Sequence, residues 1–204
     1  MHMRRERFLG ILFGVVLSVS AAEIPADFAL KASEVMVSAK AVTAERFPDA
    51  DRVLVENRVL ERYEKTGTSV TWDDDFTKVL TEKGRRDAQS ISVPFNLHYG
   101  TSFVYRAEII KPNGTAVPID VATYSRVMID PGQMGANIYD PADKVLVFSM
   151  PGVEIGDVCH VTTCRIVSKA RVPDTWGDYA IFEYDLPIVK LDYQISAPPE
   201  LPIK

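Results

Sequence analysis

Cysteine and histidine are scarce in this sequence, with two and three copies among 204 residues. A chain this long with so few thiols must be held by a hydrophobic core rather than by disulfide staples. The histidines, His2, His98 and His160, lie in no HxH or HExxH context, so no structural zinc is expected. No glycine-rich phosphate loop occurs either. Gly132 and Gly135 follow a proline turn and lack both the strand-to-helix setting and the lysine that phosphate binding needs. These absences leave no cofactor to expect. Basic residues are also in deficit, 23 Lys and Arg against 28 Asp and Glu for a net charge of −5. An acidic chain without a Lys/Arg cluster repels phosphate backbones, which excludes non-specific nucleic-acid binding. Long apolar runs are missing apart from one, and neither repeats nor low-complexity tracts are visible.

That one run is Phe8 to Val19, preceded by Arg4, Arg5 and Arg7 against a single Glu6. A basic stretch, an apolar stretch and a small-residue exit are the three parts of a secretory signal peptide. Its twelve residues fall short of the roughly twenty that span a bilayer, so no permanent membrane span is expected after cleavage. Ser20-Ala21-Ala22 suits a cut before Glu23, and Val19 with Ala21 suits one a residue earlier. No cysteine follows the cut, as a lipoprotein would require, and Phe8-Leu9 sit a residue late for a twin-arginine signal. The expectation is a protein exported by the general route to the periplasm or the extracellular space. Removing residues 1–22 takes away three arginines and one glutamate, so the mature chain is more acidic still.

Export makes a disulfide permissible, and Cys159 and Cys164 test it. They lie in VCHVTTCRIV, a β-branched run that reads as a strand. Residues five apart on a strand have Cα atoms about 17 Å apart and point to opposite faces. A disulfide needs less than about 7 Å. The two are therefore expected as separate, buried or half-buried thiols.

Residues 23–48 carry a weak helical pattern, with Asp27 as a cap and Leu30, Glu34, Val37 and Ala41 on one face. From Asp51 onward the chain is short β-rich runs between turn signals. Arg52–Glu64 and Thr68–Leu80 should pair across Lys65-Thr66-Gly67. Ser90–Phe95 is a further strand. Phe103–Ile110 should turn at Lys111-Pro112-Asn113-Gly114 into an arm running from Thr115 to Ile129. Residues 130–143 form a long loop, Lys144–Met150 and Asp157–Ser168 are strands, and Tyr179–Ser196 holds one or two more. None is apolar enough to be buried on both faces. The expected fold class is mainly β, an antiparallel two-sheet β-sandwich over 49–204, preceded by the signal-peptide helix and a short helix.

Three blocks carry a family resemblance: LTEKGRRDAQSISVPFN (80–96), AEIIKPNGTAVPID (107–120) and KVLVFSMPGVEIGDV (144–158). With PDAD (48–51) before them and TWGDYAIFEYDLPIV (175–189) after, the chain resembles the domain of unknown function 3857 (DUF3857) over about 49–204. The resemblance implies an N-terminal module of exported bacterial proteins, followed there by a transglutaminase-like domain with a Cys-His-Asp core. This chain stops at Pro202-Ile203-Lys204, about where such proteins continue. The expectation is either a truncated sequence or a stand-alone form.

No nucleophile set can be assembled from these residues. Cys159 and His160 are adjacent on a strand and point apart, while His160 and Cys164 share a face at about 13 Å. Asp73-Asp74-Asp75, with Asp49 and Asp51, match no calcium loop and read as a solvated acidic turn or strand end. Among the aromatics Trp72, Tyr99, Tyr139, Trp176, Tyr179 and Tyr184, most read as sheet packing. Trp176 and Tyr179, beside Gly177 in a turn-like segment, are the binding candidates. The functional expectation is a non-catalytic module that supports a transglutaminase-like or peptidase-like domain, its partner being that domain or another envelope protein. The alternative is a free-standing envelope glycan- or peptide-binding domain.

Overall fold

The computed structural model describes residues 23–135, 139–177, 181–182 and 186–201. Its centre is the hairpin of β1 (Arg52–Tyr63) and β2 (Ser69–Val79), paired antiparallel from Arg52↔Val79 to Tyr63↔Ser69. Gly67 makes the turn with φ of +80°, and a Cβ there would lie 2.3 Å from the Thr175 carbonyl oxygen. β2 pairs with β8 (Val158–Val167), and β8 with β4 (Gly100–Ile110). The Pro-Asn-Gly turn then closes as expected, with Gly114 at φ +88°, and leads into β5 (Ala116–Pro118). At the opposite edge β9 (Leu191–Ser196) lies beside β1, giving the order β5-β4-β8-β2-β1-β9. A second, smaller sheet has the order β3-β7-β6, from Ser90–Asn96, Asp143–Ser149 and Ser125–Ile129.

The two-sheet β architecture is as the strand pattern implied, with three departures. β9 runs parallel to β1 rather than antiparallel, because the chain crosses over from β8 through some twenty residues instead of a hairpin. The arm expected from Thr115 to Ile129 is broken. Pro118 removes a ladder donor, the Asp120 carboxylate accepts the Thr123 N–H, and α3 (Val121–Tyr124) turns the chain into the other sheet. A helix also stands where none was expected, α2 (Glu82–Ala88), started by Thr81, whose hydroxyl accepts the Gly84 N–H at 3.1 Å.

The N-terminal segment covers the outer face of the large sheet. Its helix α1 (Ala32–Lys40) begins five residues after Asp27, with Lys31 at the cap position, so Asp27 does not cap it. Val35 and Ala39, continued by Val42, form the buried side, whereas Val37 is 66% exposed. The face is thus rotated from the expected one, because packing on Val53, Val55, Phe76 and Ile110 sets it rather than propensity. Lys78 locks the helix end by donating to the Ala39 and Val42 carbonyls, each at 2.8 Å. On the inner face, Ala107, Ile109, Cys159 and Val161 pack against Phe148 and Met150. Among the described residues no helix is long and apolar enough to cross a membrane.

Candidate functional site

Strand alternation divides the three aspartates of β2. Asp74 points to the outer face and is fully buried, with Oδ1 accepting from Thr162 Oγ1 at 2.7 Å and from His160 Nε2 at 2.9 Å. Its Oδ2 accepts the Leu30 N–H at 2.8 Å. The other ring nitrogen of His160, Nδ1, lies 2.7 Å from Glu108 Oε1, and the ring stacks on Phe76 with centroids 3.8 Å apart. Both nitrogens face carboxylate oxygens, so the ring bridges Asp74 and Glu108 across the sheet. Burial pushes the Asp74 carboxyl up, but the donors of His160, Thr162 and Leu30 outweigh it and hold the group below the ordinary carboxylate range. This cluster joins β2, β4, β8 and the N-terminal segment.

Asp73 and Asp75 point the other way, into a cleft of about 440 Å³ between the sheets. Asn57 Nδ2 donates to Asp73 Oδ1 at 2.6 Å and Thr77 Oγ1 to Asp75 Oδ1 at 2.7 Å. Ile91, Val93 and Val161 supply apolar walls. Desolvation, with the neighbouring carboxylate charge, raises Asp73 to about 6 and Asp75 to about 7 despite those hydrogen bonds. The three aspartates are therefore not a solvated turn or strand end. They sit mid-strand, and both faces of the strand are covered. Among the described residues no group of three or more His, Cys, Asp or Glu has the arrangement of a metal site.

A second hollow, about 520 Å³, opens at the Gly67 end of the hairpin and shares Pro94 of β3 with the first. Trp176 lines it, and the indole stacks on Tyr63 at 4.1 Å with the rings 2° from parallel. Tyr99 lines it as well and carries the Arg171 guanidinium 5.0 Å above its ring. Glu61 forms part of the wall and has no exposed surface. Its Oε2 accepts from Thr71 Oγ1, with Arg165 Nη2 at 4.0 Å, while its Oε1 is buried without a hydrogen-bond partner among the described residues. An unmet buried carboxylate oxygen costs about 1–3 kcal/mol or more, and Trp72 Nε1 in the core is likewise without a partner among the described residues.

Of the two binding candidates, Trp176 lies at this hollow and Tyr179 falls outside the described residues, as does Tyr184. Trp72 is core, 3% exposed beside Phe28 and Cys164, and Tyr139 is 62% exposed and lines neither hollow. The thiols are free and buried, Cys159 against the inner cluster and Cys164 against the outer, as the spacing required. Burial pushes Cys159 up to about 12 and Cys164 up to about 11. Glu61 and Arg165, which line the second hollow, were not singled out in the sequence, and Asp73 and Asp75, which line the first, read there as a solvated turn or strand end. Their signal is a charge at an inward strand position, and it can be recognised only once the inward face is known.

The fold is similar to part of a putative protease from Parabacteroides distasonis ATCC 8503, with TM-score 0.61, 14% identity and coverage of 74% of this chain. This chain spans 30% of that protein's length, and the likeness is one of fold. Alignments with the M1 zinc metallopeptidase of Deinococcus radiodurans (11% identity, 58% of this chain and 20% of that one) and the CBM3a-L domain of Clostridium thermocellum scaffoldin CipA (12%, 58% and 69%) reach TM-scores of only 0.27 and 0.31. No curated protein matches the sequence. The family model for DUF3857, a domain of unknown function with a solved structure, matches residues 65–204, and with the two-sheet fold and the three sequence blocks this places the chain in the DUF3857 family.

Proposed function

We propose that the chain is a non-catalytic β-sandwich module of an exported peptidase-like or transglutaminase-like protein, in which it supports or positions a catalytic domain. The observation that carries this reading is the state of the thiols. A nucleophilic cysteine needs a thiolate and a base within hydrogen-bond reach. Cys159 and Cys164 are instead buried on opposite faces of β8 with raised pKa values of about 12 and 11, and both ring nitrogens of His160 are engaged by carboxylates. The fold likeness to part of a putative protease fits a peptidase-like setting. The pattern of residues 1–22 supports the exported address.

The full chain, expressed in a bacterial host with a C-terminal tag, tests both parts. N-terminal sequencing of the exported fraction should begin at Glu23 or Ala22, and a cytoplasmic product retaining Met1 would refute export. The purified chain should neither form hydroxamate from a glutamine peptide nor cleave casein. Turnover abolished by Cys159→Ser or Cys164→Ser would refute the non-catalytic reading. One observation favours the second reading, an envelope glycan- or peptide-binding domain: the hollow shared by Trp176 and Glu61.

A further inference from the structure

We infer that the hollow at Trp176 is a saccharide site in which Glu61 Oε1 accepts a ligand hydroxyl and the indole carries the sugar ring. The inference rests on the binding reading above and does not depend on the accessory one. Three features of the hollow select the ligand class. First, Glu61 is fully buried, one of its oxygens is satisfied by Thr71 and the other has no partner among the described residues, so the site calls for a donor. Second, the charged lining is balanced. Glu61, Asp130 and Asp143 stand against Lys144, Arg165 and Arg171, so a ligand of either net charge gains little from the field. A hydroxyl fits such a wall, because it donates to a carboxylate and accepts from a guanidinium or ammonium at once. Third, Tyr63 covers one face of the Trp176 ring, and the ring still lines the hollow. It therefore offers the hollow an apolar ring surface of the kind that suits the C–H face of a pyranose.

An extended peptide is the competing occupant, and the wall disfavours it. Peptides bind beside strands by extending the backbone ladder. Gly100 and Val167, which line the hollow, are already paired with each other. Pro94 of β3 has no N–H to offer, and its carbonyl accepts from Ser102 Oγ at 3.3 Å.

The test is titration of the full chain with three soluble tetrasaccharides, the β-1,4-linked N-acetylglucosamine tetramer, cellotetraose and maltotetraose, alongside the tetrapeptide Ala-Glu-Lys-Ala. The chain has two tryptophans, and Trp72 is buried on the other face, so a ligand in the hollow is read by Trp176 fluorescence and by calorimetry. At least one saccharide should bind, with the fluorescence change absent in Trp176→Ala. Glu61→Gln should weaken that binding about tenfold, because an amide oxygen replaces the carboxylate as acceptor and hydrogen bonds to neutral groups are the weaker. Melting curves of each variant establish that it is folded. If Glu61→Gln does not fold, Lys144→Ala at the same wall replaces it and should weaken binding several-fold. Binding of the tetrapeptide alone would overturn the saccharide assignment and leave a binding role standing. Binding of neither would overturn both. Saccharide binding undiminished in folded Trp176→Ala and in the wall variant would place the site elsewhere and overturn the assignment.

Discussion

Replacing Asp75 by asparagine should stabilise the protein at pH 8 and leave its stability almost unchanged at pH 4. Asp75 faces the inter-sheet cleft opposite apolar Ile91 and Val93, with Asp73 two residues away on the same strand face. Burial first, and then the Asp73 charge, raise its carboxyl from 3.8 to about 7. A carboxyl that binds its proton more tightly folded than unfolded makes stability fall as pH rises. The penalty is absent below the unfolded value near 4 and complete above about 7. The full displacement corresponds to about 4 kcal/mol. The cleft is open to solvent on one side, which screens the charge, so the expected gain at pH 8 is about 2 kcal/mol. For a domain of this size that is roughly a 4–8 °C rise in melting temperature. Asparagine keeps an oxygen for the Thr77 hydroxyl, so the hydrogen bond at 2.7 Å is retained. The assay is thermal unfolding by circular dichroism at pH 4, 6 and 8 for both proteins. The difference should grow with pH, and the wild-type decline between pH 5 and 8 should flatten in the variant. An equal destabilisation at all three values would refute the account of a buried, charge-penalised carboxylate.

Asp74→Ala should cost about 3–5 kcal/mol, because it strands the Thr162 hydroxyl, the Leu30 N–H and one ring nitrogen of His160 in a buried cluster. Urea unfolding at pH 7 measures this, and a loss below about 1 kcal/mol would show the cluster to be dispensable. The Asp74 carboxyl is held low, so its contribution is present at neutral pH and disappears as pH falls through its lowered value. The variant's disadvantage should accordingly shrink in acid. Ellman's reagent should find no fast-reacting thiol in the native protein and two in the unreduced, unfolded chain; none in the unfolded chain would mean that Cys159 and Cys164 are paired. Gly67→Ala should cost about 2 kcal/mol or more, since it adds a Cβ 2.3 Å from the Thr175 oxygen to the strain of a positive φ. Gly114→Ala has positive φ but open space, and should cost only about 1 kcal/mol. Equal melting shifts for the two variants would show that the Thr175 contact does not matter.

The sequence alone determined the local features whose physics is local. Gly67 and Gly114 marked two turns because few other residues take a positive φ cheaply, and the β-branched run around Cys159 and Cys164 set a strand on which two thiols five apart cannot meet. Those features, with the spacing of short strands, were enough for a mainly β, two-sheet fold. Tertiary structure decided what depends on distant partners. Val35 and Ala39, rather than Val37, became the buried side of α1 because the sheet beneath them is where Phe76 and Val53 lie. β9 came to lie parallel to β1 because its register is set by residues more than 130 positions away. The site shows the same division. A run of three aspartates reads as solvated when each is weighed by its own polarity, yet β alternation sends Asp74 to His160 and turns Asp73 and Asp75 toward the second sheet. Glu61 looks like an ordinary strand charge beside Arg62 until the inward face is fixed, and only then does it emerge as part of the hollow that Trp176 shares, with one oxygen unpartnered among the described residues. Trp176 stood out in the sequence as an aromatic beside a glycine in a turn; that Glu61 lines the same hollow did not, because burial is a property of the whole fold.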